Sequence, residues 1–155
     1  MEATTNNYRS PIISEVPEED ERLIDTGMLH FESSVAGYNE RYHKGRTSHT
    51  IHVWWARRPH SAMRSLVFSS LCKDKSSEAL QTMAELAMDC NEENLNKAKK
   101  FIQKDYLESP KVLDMFGGGG TIPFEAKRLG ADSYSIDSNQ LSVFIQKCNM
   151  LYADN

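Results

Sequence analysis

Lys111-Val112-Leu113-Asp114-Met115-Phe116-Gly117-Gly118-Gly119-Gly120-Thr121-Ile122-Pro123-Phe124-Glu125-Ala126 is where this chain changes period. The short apolar run ending at Asp114 reads as a strand buried on both faces. Four glycines follow, then Thr121 as a helix cap, with Glu125 early in the helix where negative charge is favourable. Gly130 supplies the stop, and Ser133 to Ile136 make a second short strand that ends at Asp137. Leu141, Phe144, Ile145, Cys148 and Leu151 then repeat at three and four, as an amphipathic helix does. Strand, glycine turn, helix, strand, helix is the opening of a doubly wound, Rossmann-like α/β domain. Sheets ordinarily have about 5–6 strands, and upstream only Ile51 to Trp55 and one other segment offer to pair. The α/β domain is therefore expected to be incomplete, and the chain reads as the amino-terminal piece of something larger.

Three regions are expected: a flexible arm over 1–16, a mainly helical region over 17–109, and the start of the α/β domain over 110–155. Pro17-Glu18-Glu19-Asp20 looks like the acidic opening of a short helix, with Leu23, Ile24 and Met28 as its buried stripe. Phe31 to His49 reads mostly as loop, with one helical turn around Tyr38 to Tyr42. Thr50 to Trp55 is extended, and Pro59 opens a helix whose Ala62, Met63, Leu66, Val67 and Leu71 recur at helical spacing, with Arg64 to one side. Two further amphipathic stretches follow, one through Leu80, Met83 and Ala87, the other through Leu95, Ala98, Phe101 and Ile102.

Composition narrows the function classes. With 155 residues, 39% hydrophobic and 26% charged, the chain is of one-domain size and globular character. No run approaches the roughly 20 apolar residues of a membrane span, and the acid-rich first twenty residues do not read as a secretory signal. Three scattered cysteines are too few for a disulfide scaffold, so a reducing, cytoplasmic setting is expected. Net charge is -4, yet Arg41 to Arg64 holds six basic residues, four histidines and no acid. That local field calls for an anionic partner at one place, or is a plain solvated basic face.

The glycine turn sits where α/β sheets bind ligands, at the carboxyl ends of the strands. Gly118 and Gly120 allow positive φ and close approach to the backbone. Asp137, 19 residues beyond Gly118, is placed to accept hydrogen bonds from ribose hydroxyls. A dinucleotide fingerprint would need a third glycine where Pro123 stands, and a triphosphate loop would need a lysine before Thr121. Asp114 sits badly beside a diphosphate and well beside an ammonium group. S-adenosyl-L-methionine carries an amine and a sulfonium and fits both acids; a glycine turn with no ligand is the other reading.

Asp114-Met115-Phe116-Gly117-Gly118-Gly119-Gly120-Thr121 resembles the D-P-F-x-G-x-G-T cofactor motif of S-adenosylmethionine-dependent DNA methyltransferases acting on amino groups, with Met115 where those enzymes usually have Pro. Asn39-Glu40, Gly45, Ile51-His52-Val53-Trp54-Trp55-Ala56-Arg57-Arg58-Pro59 and Arg64 resemble the amino-terminal region of large adenine-specific DNA methylases that carry a DUF1156 domain. The resemblance covers about Asn39 to Tyr152. It implies a methyltransferase domain in which Asp114, Phe116, Gly118, Gly120, Thr121 and Asp137 bind S-adenosyl-L-methionine and the substrate is DNA. It also implies a D/N-P-P-Y/F motif for the target base. None of the five prolines is adjacent to another, so that motif is absent here. The expected function is then the cofactor-binding part of an N6-adenine DNA methyltransferase, truncated or split. A second chain carrying Asp-Pro-Pro-Tyr would be its partner. The alternative is a non-catalytic module that binds nucleic acid or protein.

Trp54 and Trp55, as neighbours in an extended segment, are expected to face opposite sides, at least one of them into the core. Arg57 and Arg58 have three open roles: gripping a DNA phosphate, holding the methionyl carboxylate, or fixing the loop to an acidic neighbour. Arg64 joins them as a candidate contact. His43, His49, His52 and His60 lack carboxylates or cysteines at ligand spacing, so no metal site is expected.

Overall fold

The computed structural model describes residues 20–26, 31–42, 52 and 54–152. Among the described residues six α-helices and two strands are formed: α1 Phe31–Tyr42, α2 His60–Leu71, α3 Ser77–Met88, α4 Glu92–Asp105, β1 Lys111–Asp114, α5 Thr121–Arg128, β2 Asp132–Ser135 and α6 Gln140–Lys147. The chain is mostly helical, with a small parallel sheet of two strands, an arrangement compatible with the α/β class. A 3-10 helix at Leu23–Thr26 precedes them, pinned by Leu23 N–H donating to Cys72 C=O at 2.8 Å. Leu23 is buried as expected, whereas Met28 and the acidic opening before Asp20 lie outside the described residues.

The expected loop after Phe31 is instead the twelve-residue α1. Its signal is muted because the buried face is made of Ser33, Ala36 and Gly37, while Phe31, Tyr38 and Tyr42 are exposed. Small residues let α1 lie close on α2: a Cβ at Gly37 would stand 3.3 Å from Ala62 Cβ. From the far end of α1, Glu40 caps α2. Its carboxylate accepts from His60 N–H, Ser61 N–H and Ser61 Oγ, each at 2.8 Å. Pro59 at the N-cap offers no side-chain acceptor, so Glu40 satisfies those exposed N–H groups from another helix. Burial alone would raise its pKa, but the N–H bonds of Ser61 and His60 outweigh that and hold it below the ordinary carboxylate range. Glu40→Ala is expected to destabilise the chain by about 1–2 kcal/mol, as loss of a strong cap does, measured by urea unfolding.

Ser76 and Asn91 cap α3 and α4 from their own side chains, accepting from Ala79 N–H and Asn94 N–H. The core under the helices is built from Phe68, Leu71, Met83, Leu86, Ala98, Phe101 and Ile102. Phe68 and Phe101 meet edge to face at 6.3 Å between ring centres. Ala126, Leu129 and Ala131 belong to that same cluster, so α5 and its exit are packed directly on the helical region.

β1 and β2 pair in parallel, Lys111 opposite Asp132 through Asp114 opposite Ser135. Burial on both faces does not occur. α5 packs against one face only, and the alternating residues of the other stand open, Leu113 at 57% and Tyr134 at 53% exposure. Among the described residues no third strand joins the pair. Ile51 and Val53 lie outside them, and at Trp54 the chain turns rather than extends, Arg57 N–H donating to Trp54 C=O at 3.2 Å. α6, capped by Asn139, buries Ile145, Ser142 and Gln146, but leaves Leu141 and Phe144 exposed; a π-helical turn, Cys148–Tyr152, continues it with Leu151 exposed.

Candidate functional site

The turn between β1 and α5 is held by hydrogen bonds to the residue after β2, from α6 and within itself. Gly117 N–H reaches back to Ile136 C=O at 3.0 Å, and Gly120 N–H closes on Gly117 C=O at 2.7 Å. Gly118 and Gly120 have φ of +49° and +81°, a region that side chains rarely adopt. From α6, Ser142 Oγ and Gln146 Nε2 donate to Gly118 C=O at 2.6 and 3.2 Å. At the other two glycines the constraint is close approach, tighter at Gly117 than at Gly119. A Cβ at Gly117 would meet Ser135 Oγ at 2.0 Å, and one at Gly119 would meet Arg57 Nε at 2.9 Å.

Both predicted acids stand at the strand ends. Asp137 Oδ2 accepts from Gly118 N–H and its Oδ1 from Asn139 N–H, each at 2.8 Å. The bonds from Asn139 and Gly118 hold its carboxyl below the usual range, so it is ionised at neutral pH. Asp114 Oδ1 accepts from Phe116 N–H at 3.0 Å, and its second oxygen has no hydrogen bond among the described residues. Phe116 itself is 87% exposed. These acids fit a ligand bearing an ammonium and ribose hydroxyls: the carboxylates sit on neighbouring strand ends and retain accepting capacity.

The Trp54 to Pro59 segment closes over this turn. Trp54 is half-buried with its indole Nε1 3.0 Å from where a Gly118 Cβ would lie, so it packs on the turn and not in the helical core. Trp55 is 90% exposed. One ring is half-buried on the turn and the other exposed, and neither enters the core. Arg57 lies over Gly119, while Arg58 is exposed and is tethered by its backbone, its C=O accepting from Thr121 Oγ1 at 3.2 Å. Thr121 is not the cap of α5; Gly120 occupies that position and Thr121 is the first helical residue.

Arg64 stands apart from the turn's open side. Its side chain is buried, with Nε 2.9 Å from Glu125 Oε2 and Nη1 2.9 Å from Leu86 C=O. His60 Nδ1 lies 2.7 Å from Glu125 Oε1, and Arg128 adds a longer contact at 3.5 Å. Glu125 is fully buried. Burial pushes its pKa up, yet the His60 hydrogen bond and the Arg64 charge outweigh that and keep it below the ordinary range. Glu125, read in the sequence as a helix-terminus charge, is thus the centre of a buried ionic cluster that ties α5 to α2. Its position four residues after Thr121 gave no hint of this. The partners come from 61 and 65 residues upstream. A cleft of about 570 Å³ opens beside this cluster, between α1, α2 and the end of α3, lined by Asn39, Glu40, Arg64, Met88 and Cys90.

Residues 32–100 match the family model described as a protein of unknown function, DUF1156. The match spans α1 to most of α4 and takes in the Trp54 to Pro59 segment, so that part of the chain is similar to this domain family. It stops short of the glycine turn. No curated protein and no solved structure matches the chain. No helix among the described residues is long and apolar enough to cross a membrane.

Proposed function

We propose that the turn between β1 and α5 binds S-adenosyl-L-methionine, and that the chain is the cofactor-binding part of an adenine-specific DNA methyltransferase. The observation that carries this reading is the pairing of Asp114 and Asp137 across a glycine turn whose Gly118 and Gly120 adopt positive φ. Asp114 would meet the methionyl ammonium, Asp137 the ribose hydroxyls, and the backbone of Gly118 and Gly120 would lie along the ligand. Phe116, exposed beside Asp114, would border the same site, and Thr121 would fix the segment that covers it through Arg58. When bound, the cofactor supplies the methyl group for transfer to the exocyclic amine of adenine. The groups that receive the base belong to a second chain bearing Asp-Pro-Pro-Tyr. The open sheet face at Leu113, Tyr134 and Ile136 is the apolar surface such a partner would cover.

Isothermal titration of the folded chain with S-adenosylhomocysteine tests the binding. Saturable heat is expected, and Asp114→Asn, which keeps the acceptor for Phe116 N–H but removes the charge, should weaken it at least tenfold, about the worth of a charge-assisted hydrogen bond. Absence of heat from a chain with an intact melting transition overturns the reading.

A further inference from the structure

A ligand with an α-amino acid end carries two opposite charges close together, and one acid at the turn answers only the ammonium. The negative end needs its own cation, and the sequence leaves Arg57, Arg58 and Arg64 as candidates. The structure separates them. Arg64 is buried in the ion cluster with Glu125 and the Leu86 carbonyl. Arg58 is exposed, and what ties it to the turn is its backbone carbonyl on Thr121. Arg57 alone of the three lays its guanidinium on the turn, its Nε 2.9 Å and its Nη2 3.4 Å from where a Cβ at Gly119 would stand. Trp54 lies beside it on Gly118, and the hydrogen bond from Arg57 N–H to Trp54 C=O holds the two residues in one tight turn.

Nε and Nη2 of the guanidinium are buried against the turn, and burial works against its charge while the carboxylate of Glu40 works for it. A partly desolvated cation above a turn flanked by acids is suited to a zwitterion, with each charge of the ligand facing its opposite. We propose that Arg57 takes the carboxylate of the methionyl end, so that the ligand site is composite: Asp114 and Asp137 from the β–α–β unit, Arg57 from the segment matching DUF1156. The assignment rests on the binding reading above and adds to it a selectivity: the site prefers ligands that keep the amino acid carboxylate.

The probes are S-adenosylhomocysteine and its decarboxylated analogue, S-adenosylthiopropylamine, titrated calorimetrically into the full chain. The wild type should bind the first about tenfold or more tightly over the second, the value of one charge-assisted pair. Arg57→Gln should erase that gap while leaving the affinity for the decarboxylated analogue within about twofold. Arg58→Gln should keep the gap, and Arg57→Lys, which preserves the charge without the fork, should keep part of it. Equal binding of both probes to the wild type, or a gap that survives Arg57→Gln, overturns the assignment while the methyl-donor site stands. So does a gap erased by Arg58→Gln instead. Binding of neither probe to the folded wild type overturns both. Should Arg57→Gln weaken both probes alike or lower the melting temperature, the residue is structural and the assignment falls.

Discussion

Glu125→Ala is expected to destabilise the chain by about 3–5 kcal/mol, a large share of a domain's ordinary stability. The substitution strands the buried Arg64 guanidinium without the carboxylate that neutralises it, and takes from buried His60 a hydrogen-bond partner of its Nδ1. Glu125→Gln retains the volume and one acceptor, so it should cost less than alanine and more than an exposed glutamate change. Arg128→Ala, at the half-exposed edge of the cluster, should shift stability by less than about 1 kcal/mol. Urea unfolding of the three variants checks the order. The pH dependence has a defined sign. Because the folded pKa of Glu125 lies below its ordinary value, its contribution is present above that value and is lost as pH falls through the folded one. Wild-type stability should decline on the acid side of the normal carboxylate range, and Glu125→Gln should flatten that decline.

The chain alone is expected to transfer no methyl group to DNA, even at saturating S-adenosyl-L-methionine. Transfer requires the target amine in line with the sulfonium at about 3 Å and held while its proton is lost. The groups at the turn are a carboxylate bound to Phe116 N–H, another bound to Gly118 and Asn139, and glycine backbone. Nothing among them is arranged to seat a flipped base, and the chain holds no pair of adjacent prolines. The measurement is tritiated methyl incorporation into adenine-containing duplex DNA. Counts at the no-protein level are expected, and a second chain bearing the Asp-Pro-Pro-Tyr motif should restore them. Turnover by the chain alone would place the catalytic groups somewhere other than proposed.

The sequence made the β–α–β unit legible because its signals are local. A short apolar run, four glycines and an apolar repeat at three and four need no distant partner to be read. The long helices α2, α3 and α4 declare themselves by the same kind of stripe. α1 did not, since helix packing there depends on Ser33, Ala36 and Gly37, residues that resemble loop composition and acquire meaning only against Ala62. The open face of β1 and β2 is illegible in the sequence for a related reason: an apolar residue in a strand says that it should be covered, not that it is. Leu113 and Tyr134 remain open beside a single covering helix. At the turn, the glycines and acids were visible, but the contacts that distinguish Arg57 from Arg58 and Arg64 span more than sixty residues of chain. Spacing along the sequence carries no trace of such pairings.

The buried cluster around Glu125 also bears on heredity and engineering. A β–α–β unit of this kind can be imagined as a cassette, movable onto another helical base. Here α5 contributes Ala126 to the core beneath Phe68 and Leu86, and carries a carboxylate whose charge depends on Arg64 and His60 of α2. A transplanted unit would bring an orphan acid into an apolar host, and the helices left behind would keep the buried Arg64 guanidinium without its carboxylate. Recombination between Asp105 and Lys111 therefore exchanges more than a linker. The two halves are constrained to be inherited, and to be redesigned, together.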